Sequence, residues 1–250
     1  QPHALKRIYA WFSAVATSDT PLLDDLLAHG VPIDVPHPLR HTTALMEATR
    51  LGRTETVQWL IERGAAPAFL GGSPARTALH GALKLKRWEI AVMLTQGMES
   101  CAMLDGHGAT VLHTLCAASY EPPDPEVLLG LATVFIGKGC PLDALDHEGT
   151  TALHHCVIND QLALAELLLE HGANPDARIP DSGVCPLHIA ALEKNMEMAH
   201  LLIYHGANAS LPTHDGSTAS SLCAQLAACI EDMADHQPIP HYAPEILVRG

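Results

Sequence analysis

Seventeen histidines and seven cysteines are the side chains of this sequence best suited to holding a transition metal or serving as nucleophiles. A zinc site would need three or four of them converging to about 2 Å from one ion. A cysteine nucleophile would need a histidine within hydrogen-bond reach and a third group to orient it. Several pairs are close in the chain: His113 with Cys116, His154 and His155 with Cys156, and Cys185 with His188. The seven cysteines (101, 116, 140, 156, 185, 223 and 229) include no CxxC pair, and neither a two-histidine zinc motif nor a phosphate-binding glycine loop occurs. Whether the close pairs converge depends on the elements that carry them.

The stretch Asp146 to Asn174 supplies the element. Thr151 precedes Ala152-Leu153-His154, a hydroxyl ahead of an apolar run as expected of a helix N-cap. Leu162, Leu164, Leu167, Leu168 and Leu169 form a helical stripe that stops at Gly172. The pattern predicts helix, turn, helix and a glycine-ended loop. Positions equivalent to Thr151 are Thr43, Thr77, Thr110, Cys185 and Thr218, separated along the chain by 34, 33, 41, 34 and 33 residues. Gly30, Gly64, Gly97, Gly139, Gly172 and Gly206 keep the same beat. Two markers with one period define a stack of helix pairs, since a pair of short helices cannot bury its apolar stripes alone.

The tetrapeptides TALH at 77–80 and 151–154, TVLH at 110–113 and CPLH at 185–188 resemble the ankyrin repeat signature, as does HGAN at 171–174 and 205–208. The resemblance covers nearly the whole chain. It implies an all-α solenoid of about seven helix-turn-helix units with short β-hairpin-like fingers. It also implies that His80, His113, His154, His188, His29, His171 and His205 serve structural hydrogen bonds. His41, His107, His147 and His214 fall near fingertips, and packed helix layers lie about 8–10 Å apart, too far for a row of fingertips to share one ion. The cysteine–histidine pairs sit on first helices, where periodicity already accounts for them. No metal, cofactor or catalytic residue is assigned. The DxxG turns, such as Asp105 to Gly108 and Asp146 to Gly149, are repeat fingers rather than nucleotide loops.

A stack has no single core, so length counts repeats. Few aromatics and abundant Ala and Leu suit short, closely packed helices. There is no apolar run of membrane-spanning length and no apolar signal segment in the first 20 residues. An odd cysteine set without CxxC spacing is read as free, largely buried thiols in a reducing, cytoplasmic compartment. The chain begins at Gln1 and is read as part of something longer. Of the formal charge of −14, residues 101–250 hold four Lys and Arg against nineteen Asp and Glu, whereas residues 1–100 hold ten against nine. This acidic balance opposes non-specific nucleic-acid binding, which needs cations to displace phosphate counterions.

The domain spans 1–236: an N-terminal capping unit at 1–37, repeats at 38–69, 70–104, 105–145, 146–179 and 180–212, and a C-terminal capping unit at 213–236. Residues 237–250 read as a tail or linker. Gly97 comes one residue early after Thr77, which predicts a shifted or less regular second helix in that unit. In the fourth unit Thr110 to Gly139 is 29 residues against 21 elsewhere, placing about eight extra residues between its helices, near 119–126. Pro122, Pro123 and Pro125 bar helix there. Between helices the family pattern has a left-handed glycine; here only Gly52 remains, with Lys86, Asp160 and Lys194 at the equivalents and His41 replacing a finger glycine.

The resemblance further implies partner recognition by fingertips and the exposed ends of first helices. Carried over by position, that edge contains Arg40, Arg50, Arg76 and Lys84, then Glu148, Asn159, Asp181, Glu193 and Asp215, so the groove changes sign along its length. Tyr120, flanked by stiff prolines, is a further candidate contact. The expected function is a monomeric protein-interaction scaffold for a protein or peptide of complementary charge, with no nucleic acid and no membrane span. The alternatives are the substrate-recruiting half of a larger enzyme or secreted effector, and a structural spacer.

Overall fold

The computed structural model describes residues 2–117 and 125–223. Tyr120, most of the proline-rich insertion, Cys229, most of the C-terminal capping unit and the tail lie outside them. Among the described residues thirteen helices follow in order: α1 Pro2–Thr17, α2 Thr20–Ala28, α3 Ala44–Leu51, α4 Thr54–Glu62, α5 Ala78–Lys84, α6 Trp88–Gln96, α7 Val111–Ala117, α8 Pro125–Gly137, α9 Ala152–Ile158, α10 Leu162–Glu170, α11 Pro186–Leu192, α12 Met196–Tyr204 and α13 Ala219–Leu222. Six antiparallel pairs precede α13. The odd-numbered helices pack in sequence from α1 to α13 as one layer, and α4, α6, α8, α10 and α12 form a second. Among the described residues the fingers contribute only isolated bridges, Gly71 with Arg76 and Pro212 with Thr218.

The first helix of each regular pair begins at its threonine. The Thr43, Thr77, Thr151 and Thr218 hydroxyls accept the backbone N–H three residues on, and Thr110 accepts that of His113 at 3.4 Å. The first helices α3, α5, α9 and α11 are seven or eight residues long and end where a left-handed residue turns the chain. That residue is Gly52 at φ +69, Lys86 at +55, Asp160 at +52 and Lys194 at +55, and the first pair uses Ser18 at +59. His41 adopts φ +55 at its finger position. A non-glycine residue in this conformation carries a real cost, because its β-carbon crowds the carbonyl oxygen.

Two spacing anomalies resolve differently. The second helix of the third pair is regular: α6 has nine residues, as do α4, α10 and α12. What moved is the glycine, since Gly97 has φ −81 and occupies the place of Arg63 or His171, one residue before the left-handed position. The expected shift of that helix is therefore corrected. In the fourth pair α8 runs to 13 residues, so part of the added length extends the helix rather than the loop.

The core is a ribbon of alanine and leucine between the two layers, with Leu45, Leu79, Leu112 and Leu153 fully buried at one repeating position. Its aromatic end is the first two pairs, where Trp11 is fully buried and lies 6.3 Å from Trp59 between ring centroids. The Arg63 guanidinium covers the Trp59 ring at 4.0 Å. Six cysteines, Cys101, Cys116, Cys140, Cys156, Cys185 and Cys223, are buried free thiols.

Candidate partner-binding face

The motif histidines form a ladder along the first helices. His80 Nδ1 pairs with the Thr77 hydroxyl at 2.8 Å, while Nε2 donates to the Ala109 carbonyl of the next finger at 3.2 Å. His113 repeats this with Thr110 and the Thr150 carbonyl, at 2.8 and 3.1 Å. His188 Nε2 reaches the Leu211 carbonyl at 3.0 Å. In His113, His154 and His188 the Nδ1 accepts the N–H of the cap residue at 3.1 Å, which fixes the proton on Nε2. Burial pushes His80 and His113 below the ordinary histidine value and His154 down to about 4. His80, His113 and His188 thus tie consecutive pairs together, whereas the buried His154 Nε2 finds no hydrogen-bond partner. His29 and His171 instead bond back into their own helices at 2.8 Å, to Asp25 and Leu167 carbonyls.

Cys116 and Cys156 meet sulfur to sulfur at 3.1 Å across α7 and α9. Burial pushes the Cys156 thiol well above its usual value and Cys140 up to about 11. They are packing groups, since the nucleophile is the thiolate. The arrangement nearest to a catalytic one is Asp146, Thr150 and His155. His155 Nε2 lies 3.1 Å from Asp146 Oδ2 and 3.0 Å from Thr150 Oγ1, and the Thr150 hydroxyl lies 2.8 Å from the same Asp146 oxygen. Both partners share one ring nitrogen, so no proton can pass through the imidazole as a triad requires. Burial pushes the Asp146 carboxyl up, but the His155 ring and Thr150 outweigh it and hold it below the ordinary value. The trio closes the finger. Among the described residues no cluster of three or more His, Cys, Asp or Glu could hold a metal.

Two recesses open between finger turns and first helices. One of about 250 Å³ is lined by Arg76, Lys84, Asp105, His107, Asp146 and His155. The other, about 360 Å³, is lined by Val184, Leu192, Leu222, His214 and Asp215. The edge residues assigned from sequence are thus separated. Arg76 and Lys84 share the first recess, and Asp215 lines the second. Glu148, Asp181 and Glu193 are exposed. Arg40 and Arg50 each reach Glu47 at 2.7 Å, a carboxylate only 7% exposed. Hydrogen bonding from Arg50 leads the effects that keep Glu47 below the usual carboxylate value. Asn159 bridges helices, donating to the Cys116 and His155 carbonyls at 3.0 Å.

Sequence reasoning missed Glu47 and an exposed ladder. The seventh residue after each cap position is Arg50, Lys84, Ala117, Ile158 and Leu192 in successive pairs. Ile158 and Leu192 are 53% and 58% exposed. Aligning the units column by column would have shown this change from cation to hydrocarbon.

Family models for ankyrin repeats match residues 40–70 as a single repeat, and 96–179 and 115–215 as runs of three copies. The chain belongs to the ankyrin repeat family. Human B-cell lymphoma 3 protein is 31% identical over 118 residues, covering 47% of this chain and 25% of that protein. An ADP-ribosylation factor GTPase-activating protein, AGD2 of Arabidopsis thaliana, is 37% identical over 76 residues, covering 30% of this chain and 8% of that protein. The chain therefore spans a quarter or less of these relatives. Among solved structures, the ankyrin repeat domain of Bcl-3 superposes with TM-score 0.74 at 23% identity, covering 89% of this chain and 97% of that one. An ankyrin repeat domain from Acinetobacter baumannii gives 0.69 at 25% identity, covering 80% and 99%. Ankyrin repeats serve in general as protein-interaction modules, and among the described residues no helix is long and apolar enough to cross a membrane.

Proposed function

We propose that this ankyrin stack is a recognition module that holds a protein partner along the face built from finger turns and first helices. The observation that carries this reading is that both recesses open on that face, between rigid first helices and projecting loops. The groove has two electrostatic ends. Acidic groups of the partner sit against Arg50, Arg76 and Lys84; basic groups sit against Glu148, Asp181 and Asp215. Because Arg40 and Arg50 share Glu47, that cluster presents one net positive charge, and Arg76 and Lys84 carry most of the attraction at this end. Recognition proceeds by a monomer without cofactor.

The test is capture of a partner from native cytosol on the immobilised domain, identification of the partner, and titration of its affinity against salt. Arg76→Glu with Lys84→Glu should weaken binding by about tenfold or more and flatten the salt dependence. An affinity indifferent to salt and to these reversals would sink the electrostatic mechanism.

A further inference from the structure

We infer that the inner face of α9 and α11 takes one kind of occupant: a short, basic, amphipathic helix of a partner protein. This rests on the recognition face proposed above and names the chemistry that its C-terminal end selects.

Three observations converge on it. Ile158 and Leu192 occupy the same position in successive pairs, and both are more than half exposed. Ile189 on α11, Leu222 on α13 and Val184 in the finger before α11 lie partly exposed, and Val184, Leu192 and Leu222 line the recess of about 360 Å³. Apolar surface at successive steps of a groove is a contact surface rather than scatter. Around it the charge is predominantly negative. From 146 to 215 the chain holds ten carboxylates against two cations, Arg178 and Lys194, and the Arg178 guanidinium is bonded to the Pro212 carbonyl at 2.5 Å. Glu148, Asp181, Glu193 and Asp215 are exposed carboxylates around the apolar strip.

The spacing selects the conformation of the ligand. Neighbouring first helices lie about 8–10 Å apart, so Ile158 and Leu192 present two contacts at that separation. An α-helix places residues seven apart on one face about 10.5 Å from each other. A β-strand cannot match it, since residues three apart, at about 10 Å, point to opposite faces. The fit is a helix with apolar residues at i, i+3 and i+7 and lysine or arginine along its flanks.

The probe is a fluorescein-labelled helical peptide with leucine at i, i+3 and i+7 and flanking lysines, read by anisotropy against the full chain. A peptide of equal composition with its leucines at i, i+2 and i+5 is the control. The patterned peptide should bind at least about tenfold tighter than the control, and Leu192→Asp or Ile158→Asp should each cost about tenfold. Both residues are exposed, so circular dichroism of each variant should match the parent. Asp215→Lys should cost about threefold and reduce the salt dependence, while Lys6→Glu, an exposed position on α1, should leave binding unchanged. Equal binding of the two peptides, or indifference to Leu192→Asp, would overturn the inference. So would sedimentation showing self-association abolished by Leu192→Asp, which would make a second copy the occupant. If the peptide fails but Arg76→Glu with Lys84→Glu still releases a captured partner, the broader recognition face stands and this inference alone falls.

Discussion

Lys194 sits at φ +55 and Asp160 at φ +52, both between a first and a second helix, where glycine avoids the crowding a β-carbon brings. Lys194→Gly should therefore raise stability by roughly 1 kcal/mol, less the entropy that glycine adds to the unfolded chain. Asp160→Gly should gain less. Its carboxylate accepts a bond from Asn195 at 2.5 Å, and Asn195 caps α12. Urea midpoints of the two variants against the parent decide the order. Glu47 poses the opposite case, a carboxylate stabilised by two arginines. Glu47→Ala should cost about 2 kcal/mol, the scale of a hydrogen bond to a charged group. Its folded value lies below 4.5, so its contribution is present above that pH and fades as pH falls through the depressed value. The left-handed positions were legible because the family pattern implies a left-handed glycine there and the spacing aligns Lys86, Asp160 and Lys194 with Gly52. Glu47 was not, because its burial depends on Arg40 folding back from the finger, a contact no local pattern encodes.

Histidines tie α5, α7 and α11 to the next finger's carbonyl, and His80 and His113 also pair with their own cap threonines. The ladder makes a pH prediction. His80, His113 and His154 have folded values lowered by burial, so the unfolded chain binds more protons below their ordinary 6.5. Stability is fully present above 6.5 and is lost as pH falls toward the folded values, about 4 for His154. For His154 alone the linkage is on the order of 3 kcal/mol. Denaturant midpoints should drop steadily between pH 6.5 and 4, and His154→Gln should flatten that slope while lowering stability at pH 7.5. A slope unaltered by His154→Gln would show that the ladder is not its source. At this scale the sequence told most of the story, since caps, stripes and period are all local signals. The early Gly97 predicts a shift that α6 does not show, because this glycine sits at the right-handed C-cap itself. Sequence reasoning also assigned all of the extra length in the fourth pair to a loop, although Pro125 to Leu128 lengthen α8 at its start, with Pro125 at a first helical position where proline is tolerated.

Among the described residues the molecule is a chain of neighbour contacts, each helix pair packing chiefly on adjacent pairs. Its overall architecture was legible because the repeat period is written into the sequence. The binding face was less so. Position predicted which residues lie on the edge, but side chains decide which are available: Arg50 and Asn159 are partly committed to the stack, while the hydrocarbon of Ile158 and Leu192 escaped a search for charge. The packing also bears on how the protein comes apart. All three tryptophans, Trp11, Trp59 and Trp88, lie on α1, α4 and α6, so the first three pairs carry the entire indole emission of the chain. Leu202 is fully buried at the other end, on α12. Leu202→Ala should cost about 2–5 kcal/mol locally. In a structure coupled only through neighbours, that loss should shift the circular dichroism transition to lower denaturant and leave the fluorescence transition nearly in place. The protein thus contains its own one-ended optical label, able to report separately on the half that holds the basic recess and the half that holds the apolar one.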